Sequence, residues 1–212
     1  MKWGIHLKFW ILLTLVLILA VPAIVSVQDG LDRISREVEM TRAVFGDEKT
    51  ETIVDSAKSV YGTAFVKSGF ITDLNKTHFS QADYRKAHAL SGALKHFGTV
   101  TNSYFGSMVI NLYGMMIRLF IVWHWLAFVG PFLIACVVDG YMTRAKKLAE
   151  FAYQNPSAFS LAAHVLLWIV FFPVMYLVAP IPVTPLFVPI WALVMALPVA
   201  VMLSNSQRIF GS

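Results

Sequence analysis

The stretch of sequence that decides the fold class is residues 119–138, which read LFIVWHWLAFVGPFLIACVV. It contains no Asp, Glu, Lys or Arg, and its ionisable side chains are His124 and Cys136. About 20 consecutive apolar residues are what a helix needs to cross a bilayer. Because lipid offers no partner to a free backbone amide, we expect this stretch to be a transmembrane helix and not a strand.

Three further stretches have the same apolar character: Phe9–Val27, Phe159–Ala179 and Leu186–Leu203. Hydrophobic residues make up 58% of the chain, charged residues 14%, and the mean hydropathy is +0.67. The sequence therefore predicts an all-α integral membrane protein with four spans. The first stretch could instead be a cleaved signal peptide. The apolar core of a signal peptide usually has about 7–15 residues. Since the apolar run here is longer, we interpret it as an uncleaved membrane anchor.

The positions of the basic residues predict the orientation of the spans. Six of them flank the spans on one side: Lys2, Lys8, Arg144, Lys146, Lys147 and Arg208. Basic flanks belong to the cytoplasm, so both termini and the loop 139–157 should be cytoplasmic, and residues 28–106 periplasmic. The segment 28–106 holds ten basic and ten acidic residues, so the net charge of +5 lies elsewhere. We interpret this net charge as the excess of basic residues on the cytoplasmic side of a bacterial inner-membrane protein. We therefore expect no direct contact with nucleic acid.

The outer segment 28–106 shows apolar residues at helical spacing. Leu31, Ile34, Val38, Thr41 and Phe45 form a first stripe, followed by Gly46 as a C-cap. A second helix is predicted from Asp47, and a third from Gln81 to about Phe97. The chain thus divides into residues 1–27 with the first span, a helical insertion over residues 28–106, and residues 107–212 with the other three spans. The insertion is either a docking surface or a solvated spacer.

Polar side chains near the hydrocarbon zone are candidate functional residues. Arg118 immediately precedes the second span, and we expect its long side chain to reach the interface. If the span begins earlier, Arg118 needs a partner, and the other spans contain no acidic residue. His124 and His164 fall at different depths, so we expect each to be hydrogen-bonded within the bundle or hydrated, without a shared site.

A second candidate region lies at the cytoplasmic end of the second span. Asp139 and Gly140 predict the exit of the helix, followed by a basic amphipathic helix before Asn155. The contact residues we predict for a protein partner or anionic lipid are Asp139, Arg144, Lys146, Lys147, Leu148 and Phe151.

The sequence contains no set of residues typical of an enzyme or a cofactor site. No nucleophile–base–acid combination, paired carboxylates or glycine-rich phosphate loop appears. His88 and His96 are eight positions apart, which does not match the spacing of a helical metal pair. We therefore expect no catalytic residue, no cofactor and no metal ion, and the single cysteine excludes an intramolecular disulfide.

Around the end of the second span the chain resembles a known family. The run Val137-Val138-Asp139-Gly140-Tyr141 with Arg144 soon after, behind a signal anchor and a polar helical segment, is similar to the integrating conjugative element membrane proteins. The inner loop 145–150 is less basic than that family's pattern and lacks its glycine. The resemblance implies a role in conjugative DNA transfer through a type IV secretion system, with the coupling ATPase of the inner membrane as partner.

Two other functions remain open on the sequence. A surface-exclusion factor would use residues 28–106 to recognise an incoming transfer apparatus. A small channel is a third hypothesis, weakened because no polar stripe follows the spans.

Overall fold

The computed structural model describes residues 3–76 and 92–206, and within these ranges all regular secondary structure is helical. We number the α-helices in chain order. They are α1 (Trp3–Ile24), α2 (Val27–Phe45), α3 (Asp47–Tyr61), α4 (Phe70–Lys76), α5 (Gly92–Ala149), α6 (Pro156–Val170), α7 (Phe172–Val178) and α8 (Phe187–Ser204), with a π-helical turn at Gly62–Val66. The start of the third predicted outer helix, near Gln81, lies outside the described residues.

Four helical stretches are long and apolar enough to cross a membrane: Leu7–Ile24, Gly98–Ala149, Pro156–Val178 and Phe187–Ser204. They overlap the four predicted spans, so the prediction of an all-helical chain with four such stretches is confirmed for the described residues. Helix α5 has 58 residues, and at about 1.5 Å per residue it far exceeds the thickness of a bilayer.

The helix boundary predicted at Asp139 and Gly140 is wrong, because α5 continues through both residues to Ala149. Gly140 serves helix packing instead of ending the helix. A Cβ atom at this position would lie 2.8 Å from the Cβ of Leu203 and 3.4 Å from the Cα of Ala200. The missing side chain therefore lets α8 approach the backbone of α5, and the predicted separate inner helix is the last part of α5.

The chain forms two compact units: residues 1–121 with 176–185, and residues 122–175 with 186–212. In the first unit, α2 and α3 pack together across Gly46, whose φ of +81° favours glycine. The Gly46 amide donates to the Arg42 carbonyl at 2.9 Å, which confirms the predicted C-cap. Ser26 caps the other end of α2, since its hydroxyl accepts from the Asp29 amide at 3.1 Å.

In the second unit, α6 and α8 pack together. The third predicted span is interrupted near Pro173. The helix breaks at Phe171, two residues before Pro173. Proline has no amide hydrogen, so Pro173 cannot donate to the Ile169 carbonyl four residues earlier. The indole Nε1 of Trp191 in α8 donates to that carbonyl at 2.8 Å instead. A side chain from the next helix thus satisfies the acceptor that the proline leaves free.

Candidate functional site

The first compact unit contains a buried ion pair between Arg118 of α5 and Glu37 of α2. Both side chains are 1% exposed. The Nε of Arg118 donates to Glu37 Oε2 at 3.1 Å, and Nη2 donates to Oε1. Two nearly parallel bonds of this kind are the arrangement in which arginine binds a carboxylate most specifically. The pair joins residues 81 positions apart in the sequence.

Arg118 also binds the last turn of α7 and the residues just after it. Its Nη1 donates to the carbonyls of Tyr176 at 2.6 Å, Leu177 at 3.2 Å and Ala179 at 2.7 Å, and its Nη2 donates to Ile181 O at 2.6 Å. The guanidinium carbon lies 5.4 Å from the centre of the Tyr176 ring. The last carbonyls of a helix have no partner within the helix, so Arg118 acts as a C-terminal cap of α7 supplied from α5.

A second arginine lies beside this pair. Arg33, one turn before Glu37 on α2, is 5% exposed, and its Nη1 lies 3.4 Å from the Ala179 carbonyl. Its Nε is buried and has no hydrogen-bond partner. Burial and the neighbouring Arg118 lower the pKa of Arg33, while Glu37 acts in the opposite direction. With two arginines and one glutamate, the cluster carries a formal charge of +1.

The sequence of α2 explains how these charges reach the interior. Arg33, Glu37 and Thr41 recur every four residues and therefore share one face of the helix. The buried residues of α2 are Gly30, Arg33, Ile34, Glu37 and Thr41. This face is turned by about one residue from the predicted stripe, and Leu31 is 47% exposed. The predicted stripe includes the buried Ile34 and Thr41, but it missed Arg33 and Glu37 because helical spacing of apolar residues does not identify a buried ion pair.

Two glycines let α2 approach α5 closely at the cluster. A Cβ atom on Gly114 would lie 2.8 Å from Arg33 Nη2, and one on Gly30 would lie 2.8 Å from Ile110 Cγ2. A larger residue at Gly30 would displace the Ile110 side chain, and one at Gly114 would displace the Arg33 guanidinium beside the ion pair.

The Arg118 side chain is buried in the ion pair and does not extend to the protein surface as predicted. The predicted lack of an acidic partner was correct for the spans, but Glu37 comes from the segment 28–106. The five N–H groups of Arg118 face two carboxylate oxygens and four carbonyls. With its donors engaged in this way, Arg118 acts as a structural clamp within the first unit.

The two predicted membrane histidines belong to the second compact unit. His164 Nδ1 lies 2.7 Å from the Ser160 carbonyl one turn earlier, which agrees with a histidine bonded within its own helix. His124 is half-buried. Two outer histidines, His78 and His88, lie outside the described residues.

The predicted inner contact residues gather around the end of α5. Asp139, Lys146, Leu148 and Phe151 are exposed, whereas Arg144 and Lys147 are half-buried. The Nζ of Lys147 donates to Asn205 Oδ1 at 2.9 Å. Because α5 ends at Ala149, Phe151 follows the helix and does not belong to an amphipathic helical edge as predicted.

Comparison with known families matches the chain to a family described as IncC plasmid conjugative DNA transfer protein DtrJ-like, over residues 26–211. The chain belongs to the DtrJ-like family. The match begins at Ser26, the N-cap of α2, and includes the Arg118–Glu37 pair and helices α2–α8. It confirms the association with conjugative DNA transfer that the sequence resemblance implied. No curated protein and no solved structure matches this DtrJ-like chain.

Proposed function

We propose that this DtrJ-like protein is a non-enzymatic inner-membrane component of a conjugative DNA transfer system that binds the coupling ATPase. The observation that carries the proposal is the family match, which includes both the polar outer helices and the apolar helices. The proposal extends to systems encoded on integrating conjugative elements, because the run 137–141 resembles the membrane proteins of those elements.

The proposed topology places α1 and the three later apolar stretches across the membrane, with both termini in the cytoplasm. Residues 28–106 then lie in the periplasm, and residues 139–157 face the cytoplasm. The basic residues at the end of α5 support this orientation, since cytoplasmic flanks are rich in Lys and Arg.

The clamp at Arg118 supports a scaffolding role. It joins α2, α5 and the segment 176–181 through one side chain whose donors are all engaged. A partner that binds this unit would meet a preformed surface, and preformed surfaces lose less entropy on binding. In our proposal the coupling ATPase packs against the apolar helices, and its cytoplasmic base contacts Asp139, Arg144, Lys146 and Lys147.

Copurification tests this partnership. The full-length protein and the coupling ATPase should elute together from a mild detergent. Asp139→Lys combined with Lys146→Glu should reduce the recovery of the ATPase, because the two exposed charges are reversed. Lys58→Glu on α3, which is also exposed, is the matched control and should leave recovery unchanged. Equal recovery of the ATPase with the wild type, the double variant and the control variant would contradict the proposed contact.

Mating assays separate this proposal from surface exclusion. Deletion of the gene should lower transfer when the donor carries the deletion and have no effect when the recipient does. An effect confined to the recipient would favour a surface-exclusion factor. In that case, exchange of residues 28–106 with those of a relative should change exclusion specificity.

A further inference from the structure

The loop between α5 and α6, residues 150–155, holds an aromatic side chain away from the protein. Phe151 is 97% exposed and Tyr153 is 78% exposed. The loop directly precedes α6, the start of an apolar stretch of 23 residues that is long enough to cross a membrane, so in the proposed topology it lies at the membrane surface where that stretch begins.

Phe151 occupies a backbone conformation that bulky residues rarely adopt. Its φ is +50°, in the left-handed region where glycine is common. Its amide donates to Leu148 O at 3.3 Å, and the Ala152 amide donates to Lys147 O at 2.8 Å. These two bonds form a Schellman motif, in which the position of Phe151 usually belongs to glycine. A bulky aromatic residue that takes this glycine position and is 97% exposed points to a function of its side chain.

Hydrogen bonds hold the rest of the loop. Asn205, which is 7% exposed, accepts through Oδ1 from Lys147 Nζ at 2.9 Å and from the Asn155 amide at 3.3 Å. The Asn155 side chain in turn accepts from the amides of Ser157 and Ala158 at 3.0 and 3.1 Å and caps α6. The loop is thus fixed at both ends, and Phe151 projects from a rigid base.

The charged side chains near the loop indicate which kind of surface the loop contacts. Lys146 exposes 73% of its side chain, with Glu150 at 3.9 Å as its only salt-bridge partner among the described residues. Arg144 lies on the same final turns of α5, and its buried Nε has no hydrogen-bond partner. Aromatic side chains beside exposed cations are typical of segments that bind anionic membrane surfaces.

We propose that residues 150–155 form a membrane-surface anchor, in which Phe151 and Tyr153 insert between phospholipids and Lys146 binds anionic headgroups. The anchor rests on the membrane location in the proposed function and shares Lys146 with the proposed contact with the coupling ATPase, whereas Phe151 and Tyr153 belong to the anchor alone. It fixes the depth at which the end of α5 meets the bilayer. The strain at Phe151 is retained because it directs the ring toward the lipid.

A single fluorescent label tests the insertion. Phe151→Cys in a Cys136→Ser background would be labelled with an environment-sensitive dye and placed in lipid nanodiscs, which leave both membrane faces accessible. We expect blue-shifted emission and quenching by lipids that carry a nitroxide near the headgroup, at a depth of about 5–10 Å. Ser59→Cys on the polar helix α3 provides the aqueous control. Emission and quenching equal to those of this control would overturn the proposal.

A second measurement uses the unlabelled loop. Trypsin should cut after Lys146 and Lys147 more slowly in nanodiscs with phosphatidylglycerol than in phosphatidylcholine alone, and Phe151→Ala should remove the difference. Equal cutting in both lipids would contradict the proposal. Protection that appears only after the coupling ATPase is added would also overturn it, because the loop would then be a protein contact. Failure of ATPase copurification alone would leave these lipid measurements unaffected.

Discussion

Arg118 and Glu37 form an ion pair in which each side chain is 1% exposed, and the same guanidinium binds four carbonyls at the end of α7 and just after it. Breaking a buried pair by removing one partner leaves a charge without compensation, at a cost of about 3–5 kcal/mol. We expect Glu37→Ala to lower the free energy of unfolding by this amount. Thermal unfolding in detergent would measure it. The control is Glu39→Ala, an exposed position on the same helix, which should change the free energy by less than about 0.5 kcal/mol.

Exchanging the two charges should not restore stability. In a simple ion pair, Arg118→Glu with Glu37→Arg would rebuild the attraction. Here a glutamate at position 118 would face four carbonyl oxygens that need a donor, so the double variant should unfold at least as readily as either single variant. A double variant with the stability of the wild type would show that the carbonyl contacts contribute little.

Replacing each of two glycines on α5 by alanine should have opposite effects on the free energy of unfolding. A Cβ at Gly140 would lie 2.8 Å from the Cβ of Leu203, whereas a Cβ at Gly130 meets nothing within 4 Å. Overpacking of this kind costs about 1–3 kcal/mol, so Gly140→Ala should destabilise the protein. Gly130→Ala should be neutral or stabilise the helix by up to about 1 kcal/mol. Thermal unfolding of both variants in the same detergent checks the contrast, and equal effects would contradict it.

The hydrogen bond from Trp191 should contribute more to the free energy of unfolding when Pro173 is present than when it is replaced. Trp191→Phe removes the indole donor of the buried Ile169 carbonyl, a loss of about 1–3 kcal/mol. In a Pro173→Ala background the amide of residue 173 can bind that carbonyl, so the same substitution should cost less. A double-mutant cycle measures the difference. Trp123→Phe, at a position 67% exposed, is the control for loss of an indole. Equal costs in both backgrounds would exclude the proposed compensation.

The helices of this chain were predictable because their signals are local. The apolar run 119–138 and the Gly46 cap identify elements through neighbouring residues alone. The face of α2 was not predictable in the same way. Arg33 and Glu37 look like exposed charges within α2, and they become interior residues only because Arg118, 81 positions after Glu37, requires a carboxylate.

The predicted exit at Asp139 failed for a related reason. Aspartate followed by glycine is a common end of a helix, but Gly140 is needed for the contact with Leu203, which lies on another helix. Such requirements come from residues far along the chain and leave no local pattern. The one available signal for the ion pair was the spacing of Arg33 and Glu37, four residues apart beside the small residue Gly30.

The order of synthesis gives the Arg118 clamp a further consequence. Glu37 leaves the ribosome 81 residues before Arg118, but the carbonyl acceptors follow 58 to 63 residues after it. A nascent or truncated chain that stops before Tyr176 carries a paired arginine that still lacks four of its acceptors. Helices α2 and α5 can therefore complete their contacts around Arg118 only after residues 176–181 have been synthesised.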